Sequence, residues 1–174
     1  MDLFFLETAF EVIDTRSFSN MWFWIGLAVM WSSASHWVIG VPFDMVRRAR
    51  GGHAQSAQDM VALARIQARR LTFIADATGV LTTALTFFAI TMLSLLGFLY
   101  RIEFAQAVLL LFAPMMVVAW LSLRTARRIG GMEAPQLADA LMTHRRNVQF
   151  VGVVSIFVTS LWGMWINVNA TVLG

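Results

Sequence analysis

The 174 residues are 59% hydrophobic and only 13% charged, with a net charge of +3 and a mean hydropathy of +0.69. Soluble domains carry about 25% charged and roughly 45–50% apolar residues, so these proportions exclude a disordered chain and an ordinary water-soluble enzyme, and fit a membrane protein. Every one of the 13 basic residues is arginine and there is no cysteine, which excludes disulfides, thiolate zinc sites and cysteine-bound iron–sulfur clusters within the chain.

In residues 1–20, Leu3, Phe4, Leu6, Phe10 and Ile13 recur at helical intervals among Asp2, Glu7, Glu11 and Asp14. This spacing predicts an amphipathic helix over Asp2–Asp14 lying in the membrane interface, as an anchor or as a docking helix for a partner subunit. Its acids, and the lack of a small-residue cleavage site, argue against a signal peptide.

Four apolar stretches follow, at about 21–41, 71–99, 104–123 and 148–172. Each approaches the ~20 residues a helix needs to cross a hydrocarbon core of ~30 Å. Pro42 closes the first, and Pro114 removes one backbone hydrogen bond from the third. The expected fold class is an all-α integral membrane protein: a transmembrane domain over 21–174, with four transmembrane helices as two hairpins, preceded by the N-terminal interfacial helix.

The arginines set the expected orientation. The connection 43–70 holds Arg47, Arg48, Arg50, Arg65, Arg69 and Arg70, and the connection 124–147 holds Arg124, Arg127, Arg128, Arg145 and Arg146; only Arg16 and Arg101 lie elsewhere. Basic short loops stay in the cytoplasm, which puts both termini on the far side. Arg47, Arg48, Arg50, Arg69, Arg70, Arg127, Arg128, Arg145 and Arg146 are the expected contacts for anionic lipid of the cytoplasmic leaflet or for an acidic partner. Aromatic side chains collect at membrane interfaces. Phe18, Trp22, Phe23, Trp24, Tyr100, Phe104, Trp162 and Trp165 fit the outer one, Trp37 and Trp120 the inner.

The two basic connections echo each other. Arg47-Arg48-Ala49-Arg50-Gly51-Gly52 and Arg127-Arg128-Ile129-Gly130-Gly131 each precede a polar helical stretch that ends in an arginine pair. Met60, Val61, Ala64 and Leu71 stripe the first stretch, and Leu137, Ala138 and Leu141 the second. Each stripe can press on the membrane or on its neighbour, and helices two and four should protrude beyond the lipid.

Polar chemistry inside the spans is sparse. Ala28, Ser32, His36 and Gly40 share one helical face, as do Ala75, Gly79 and Thr83, and as do Ser155, Thr159 and Gly163. Small residues let helix backbones approach and hydroxyls bond across the contact, so these are candidate helix-packing faces. His36 and Asp76 fall at matching depth, ~9 Å below the inner surface at ~1.5 Å per residue, and form a candidate intramembrane polar pair. The alternative is an ion pair of Asp76 with Arg69 or Arg70. A haem would need opposed ligands, and His36 is the one histidine inside a span, leaving only His144 at the inner edge to face it. Metal-ligand spacings, phosphate-binding glycine loops and nucleophile elbows are absent. No catalytic residue, cofactor, metal or nucleic-acid partner is expected.

The run Arg16-Ser17-Phe18-Ser19-Asn20-Met21-Trp22-Phe23-Trp24, continued by Trp31-Ser32-Ser33-Ala34-Ser35-His36-Trp37 and Gly40-Val41-Pro42-Phe43-Asp44-Met45-Val46, resembles an alphaproteobacterial family of small four-span membrane proteins commonly labelled "component of SufBCD complex". The resemblance extends over the chain and is densest in the first fifty residues. It implies a multi-pass protein of the bacterial inner membrane, with periplasmic termini, and by its label a link to iron–sulfur assembly; it brings no catalytic residues. Residues and resemblance together lead to the expectation of a non-catalytic accessory or assembly subunit of a larger inner-membrane complex, with other membrane-protein subunits or further copies of itself as partners. A small homo-oligomeric channel or transporter using Asp76 and His36 is the alternative.

Overall fold

The computed structural model describes residues 17–172, and they are almost entirely helical. The amphipathic helix expected over Asp2–Asp14 lies outside the described residues. After a 3₁₀ turn at Ser17–Ser19, helix α1 runs over Met21–His36. A two-stranded hairpin, β1 (Trp37–Val38) and β2 (Val41–Pro42), leads into the short α2 (Phe43–Arg50). Three long helices complete the fold: α3 (Ala54–Ser94), α4 (Glu103–Arg128) and α5 (Ala134–Val172). A π-helical turn at Leu95–Leu99 prolongs α3. Among the described residues, three helices are thus long and apolar enough to cross a membrane: Ala54–Leu99, Glu103–Gly131 and Ala134–Asn169.

The first apolar stretch behaves differently from the continuous helix expected over 21–41. Helix α1 has 16 residues, or ~24 Å at ~1.5 Å per residue, short of a ~30 Å hydrocarbon core. It ends because Val38, Ile39 and Val41 are β-branched and Pro42 lacks an N–H, so the chain turns instead. Ile39 and Gly40 both take positive φ, at 53° and 75°, the pattern of a two-residue type I′ turn. Positive φ is costly for a β-branched residue. Burial of Ile39, only 6% exposed, opposes that cost. Gly40 therefore belongs to a turn rather than to a helix face, and a Cβ there would come within 3.0 Å of the Gln67 side chain.

The long helices pack in sequence, α3 along α4 and α4 along α5, while α1 lies against α5. The contact between α1 and α5 is close. A Cβ on Gly152 would approach Trp31 to 2.8 Å, and one on Gly163 would approach Phe18 to 3.2 Å. Ser155, Thr159 and Gly163 are buried on α5. On α1 the buried residues are instead Leu27 and Trp31, packed with Val118 and Val148, whereas Ala28 and Ser32 are exposed. The bulky side of α1 meets the small-residue side of α5. On α3, Ala75 and Gly79 are half-buried and Thr83 is exposed.

The largest group of fully buried residues lies at the arginine-rich end rather than along the apolar mid-sections. Val41, Val46, Met60, Ala64, Ile129, Leu137 and Leu141 are all 0% exposed and belong to one cluster with Val38, Ala68 and Ala126. The two predicted stripes thus press on each other, with α2 and the hairpin closing over them. At the opposite end a polar network joins the elements. The Phe18 N–H donates to Glu103 Oε1 (2.7 Å), Trp24 Nε1 to the Phe18 carbonyl (3.0 Å) and Ser19 Oγ to Asn167 Oδ1 (2.7 Å). Gln106, 5% exposed, donates to the Gly97 carbonyl (2.7 Å) and accepts from Trp162 Nε1 (2.9 Å). Phe18, Trp24 and Trp162 therefore make internal contacts, Phe18 being 2% exposed, while Trp22, Tyr100, Phe104 and Trp165 are exposed as an interfacial belt requires.

Leu141→Ala should destabilise the detergent-solubilised protein by about 2–5 kcal/mol, the usual cost of a large-to-small core change. Leu85→Ala, at a residue 57% exposed, should cost under about 0.5 kcal/mol. Thermal melts of the two variants beside the parent check the contrast.

Candidate functional site

The arginines of the two basic connections converge on one end of the helix bundle because α2 and the start of α3 pack against the end of α4 and the start of α5. Several are fixed there. Arg48 pairs with Asp44 one turn earlier on α2 (2.8 Å), and Arg50 reaches Asp139 on α5 (3.4 Å). Arg65 donates to the Met132 carbonyl (3.3 Å), which ties α3 to the turn before α5. Arg145 donates Nε–H to the Ser35 carbonyl (3.1 Å), and its guanidinium sits 3.5 Å from the centroid of the Phe43 ring. The last carbonyls of a helix have no partner within it, so Arg145 closes the C-terminus of α1 and stacks on α2 at once. Arg124 lies over Trp120, 5.3 Å from the ring centroid. The side chains of Arg47, Arg69, Arg70, Arg128 and Arg146 form no hydrogen bond or ion pair with other described residues.

Asp76 pairs with Arg127 Nη2 at 3.2 Å, their side chains 71% and 57% exposed. The expected His36–Asp76 pair is not formed, and neither Arg69 nor Arg70 takes its place. His36 is exposed, with its ring edge-on to Trp37 at 5.7 Å. The cause is the packing order: Asp76 stands on α3 toward α4, whereas His36 ends α1 against α5. The boundary ion pair exists with a different arginine. Beside it, Arg65, Arg69 and Arg127 line a hollow of about 500 Å³ between α3 and α4, together with Thr72. Of the three, Arg127 is engaged by Asp76 and Arg65 by the Met132 carbonyl, which leaves the Arg69 side chain without a partner among the described residues.

Reasoning from sequence weighed His144 only as a haem ligand opposite His36. His144 is 4% exposed between α4 and α5, with Nε2 3.3 Å from Ser122 Oγ and Nδ1 3.2 Å from Thr125 Oγ1. Each hydroxyl gives its own hydrogen to a carbonyl four residues back, Val118 and Leu121. Both ring nitrogens thus face oxygens able only to accept, yet a neutral ring has a single N–H. While the ring is neutral, one hydroxyl must turn its hydrogen from its carbonyl to the imidazole. Burial pushes the His144 pKa below its ordinary value of 6.5. The usable signal was Ser122 and Thr125, three apart on α4 and facing the one histidine at the start of α5.

No protein-family model, no curated protein and no solved structure matches the chain.

A depressed histidine pKa means that the unfolded chain binds the proton first. The contribution of His144 to stability is then complete above about pH 6.5 and falls as pH drops from there toward the lowered folded value. The melting temperature in detergent should fall below about pH 6.5, and His144→Gln should remove part of that slope. An identical slope in the variant would place the titration elsewhere. Asp76→Asn, which breaks an exposed pair, should cost no more than about 1 kcal/mol in the same melts.

Proposed function

We propose that the chain is a non-catalytic accessory or assembly subunit of a larger bacterial inner-membrane complex. In this reading the four apolar stretches at about 21–41, 71–99, 104–123 and 148–172 are immersed as two hairpins. The first, shortened by the hairpin at Trp37–Pro42, is carried by α5. The arginine-rich end faces the cytoplasm under the positive-inside rule, with both termini periplasmic. The resemblance to the family labelled "component of SufBCD complex" agrees with an accessory role.

One observation carries the reading. In the most apolar eighteen-residue window of α3, no residue is buried within the chain. Helix α3 touches its own chain along α4 and leaves Val80, Leu81, Phe87 and Phe88 more than 60% exposed. Membrane helices associate where small residues allow close approach, and the half-buried Gly79 and exposed Thr83 offer such a place beside α4. The unpaired arginines support a second contact. Each basic residue near an anionic leaflet contributes about 1 kcal/mol, and the hollow lined by Arg65, Arg69 and Arg127 supports contact with a lipid phosphate or an acidic side chain. A channel or transporter built on Asp76 and His36 draws no support from this geometry, because the carboxylate is engaged by Arg127.

A photoreactive amino acid at Thr83, read out in native membranes, should give one discrete hetero-crosslinked product. Gly79→Leu should abolish both that product and co-purification in mild detergent, with the melting temperature of the isolated chain unchanged. Crosslinks to lipid alone, or only to further copies of the chain, would contradict an accessory role.

A further inference from the structure

Between the end of α4 and the first turns of α5 lies a hollow of about 490 Å³. Arg124 is the first residue after the apolar stretch 104–123 and Asn147 the last before 148–172, and both line it. If these helices are immersed, the hollow therefore opens at headgroup level, just outside the hydrocarbon. Arg124 and Arg128 stand one turn apart on its α4 side, Thr143 and Asn147 one turn apart on its α5 side, and all four are exposed. Leu121, Met132 and Ala140 supply apolar wall beside them. The deeper polar groups are already occupied. Thr125 Oγ1 donates to the Leu121 carbonyl, and the His144 ring is held between Ser122 and Thr125.

Charge selects what this hollow can take. Neither guanidinium has an acidic partner among the described residues, and the one carboxylate on the wall, Asp139, is engaged by Arg50 at 3.4 Å. The direction of α4 adds a second constraint. Side chains lean back toward the N-terminus of their helix, which on α4 is the membrane side. The Arg124 guanidinium accordingly rests over Trp120, one turn nearer the apolar stretch, 5.3 Å from the ring centroid. Basic side chains at a membrane boundary otherwise extend toward water. A charge carried toward hydrocarbon is costly unless an anion meets it, and a ring face attracts the cation without filling its N–H donors. Trp120 is 56% exposed, so this position is open to the lipid.

We propose that this hollow holds the phosphate of an anionic glycerophospholipid of the cytoplasmic leaflet. Arg124 and Arg128 donate to its oxygens, Thr143 and Asn147 add neutral hydrogen bonds, and an acyl chain lies along Leu121 and Trp120. Guanidinium groups match phosphate oxygens with paired N–H bonds. Their net positive charge disfavours a zwitterionic headgroup, whose cationic arm they repel, and the apolar wall favours a phosphate that carries acyl chains over a soluble one. The proposal rests on the accessory-subunit reading for one thing alone, the arginine-rich end at the anionic leaflet, and needs no partner subunit.

Native mass spectrometry of the full chain, released from detergent micelles across a lipid titration, measures this binding. Dioleoyl phosphatidylglycerol should fill one site before further adducts form, and dioleoyl phosphatidylcholine should bind about tenfold more weakly. Arg124→Gln combined with Arg128→Gln should weaken the phosphatidylglycerol site about thirtyfold. Arg47→Gln combined with Arg70→Gln removes the same charge outside the hollow and should change it by no more than about twofold. Equal losses in the two double variants overturn the proposal, because the lipid would then follow total charge rather than a site. So does equal affinity for phosphatidylcholine, and so does displacement of the lipid by glycerol 3-phosphate at matched concentration, which would make the ligand a soluble phosphate. Without lipid, the variant lacking Arg124 and Arg128 should melt as the parent does; a markedly lower melting temperature overturns the proposal by showing that these guanidinium groups serve the fold. Loss of the lipid site leaves the Thr83 crosslink unaffected, so this proposal and the accessory-subunit reading fail separately.

Discussion

The removal of apolar side chains from water at one end of the helix bundle is the constraint on which the remainder of the structure depends. Met60, Val46, Ile129, Leu137 and Leu141 are wholly buried there, in the two connections that also carry eleven of the thirteen arginines. The hydrophobic effect acts where water is the alternative. Between helices surrounded by acyl chains it has little to act on, since lipid is as apolar as leucine. The same chain therefore buries its aliphatic residues tightly among its most polar segments and leaves Val80, 89% exposed, and Phe73, 73% exposed, on its apolar helices.

Two weaker forces finish the arrangement. Close packing joins α1 to α5, where Gly152 and Gly163 make room for Trp31, Trp24 and Phe18. Polar closure joins the far end, where Gln106 spans the Gly97 carbonyl and the Trp162 indole. Arg145 links two of these levels. It satisfies a carbonyl at the end of α1 and packs on Phe43 of α2, so α1 is clamped to the core at the arginine-rich end through one guanidinium. The exposed flank of α3 is left over after these contacts are made.

The long helices were legible because an apolar run of twenty or more residues has few alternatives, and the two stripes were legible from their periodicity. Whether those stripes met lipid or each other was not, since periodicity records a face but not what covers it. The hairpin at Trp37–Pro42 was hidden because Val38, Ile39 and Val41 are as apolar as a span; only Gly40 and Pro42 marked the turn. On α1 the expected face lay one residue from the buried one, because small residues marked the face while Trp31, the true knob, was assigned to no packing face. The partner of Asp76 could not be read, since Arg127 lies 51 residues away and comes near only once α3 and α4 have packed. The surroundings of His144 escaped for the same reason. They are made by two hydroxyls on another helix.

Solvent accessibility along the bundle tests the account most directly, and the absence of cysteine allows spin labels at single introduced cysteines without background. In liposomes, labels at Gln55, Gln136 and Asp139 should collide with a water-soluble nickel reagent, and labels at Val80, Leu85 and Phe157 with oxygen dissolved in the lipid. A nickel-accessible Val80, or a lipid-shielded Gln136, would contradict a fold held by water at its arginine end and solvated by lipid along its length.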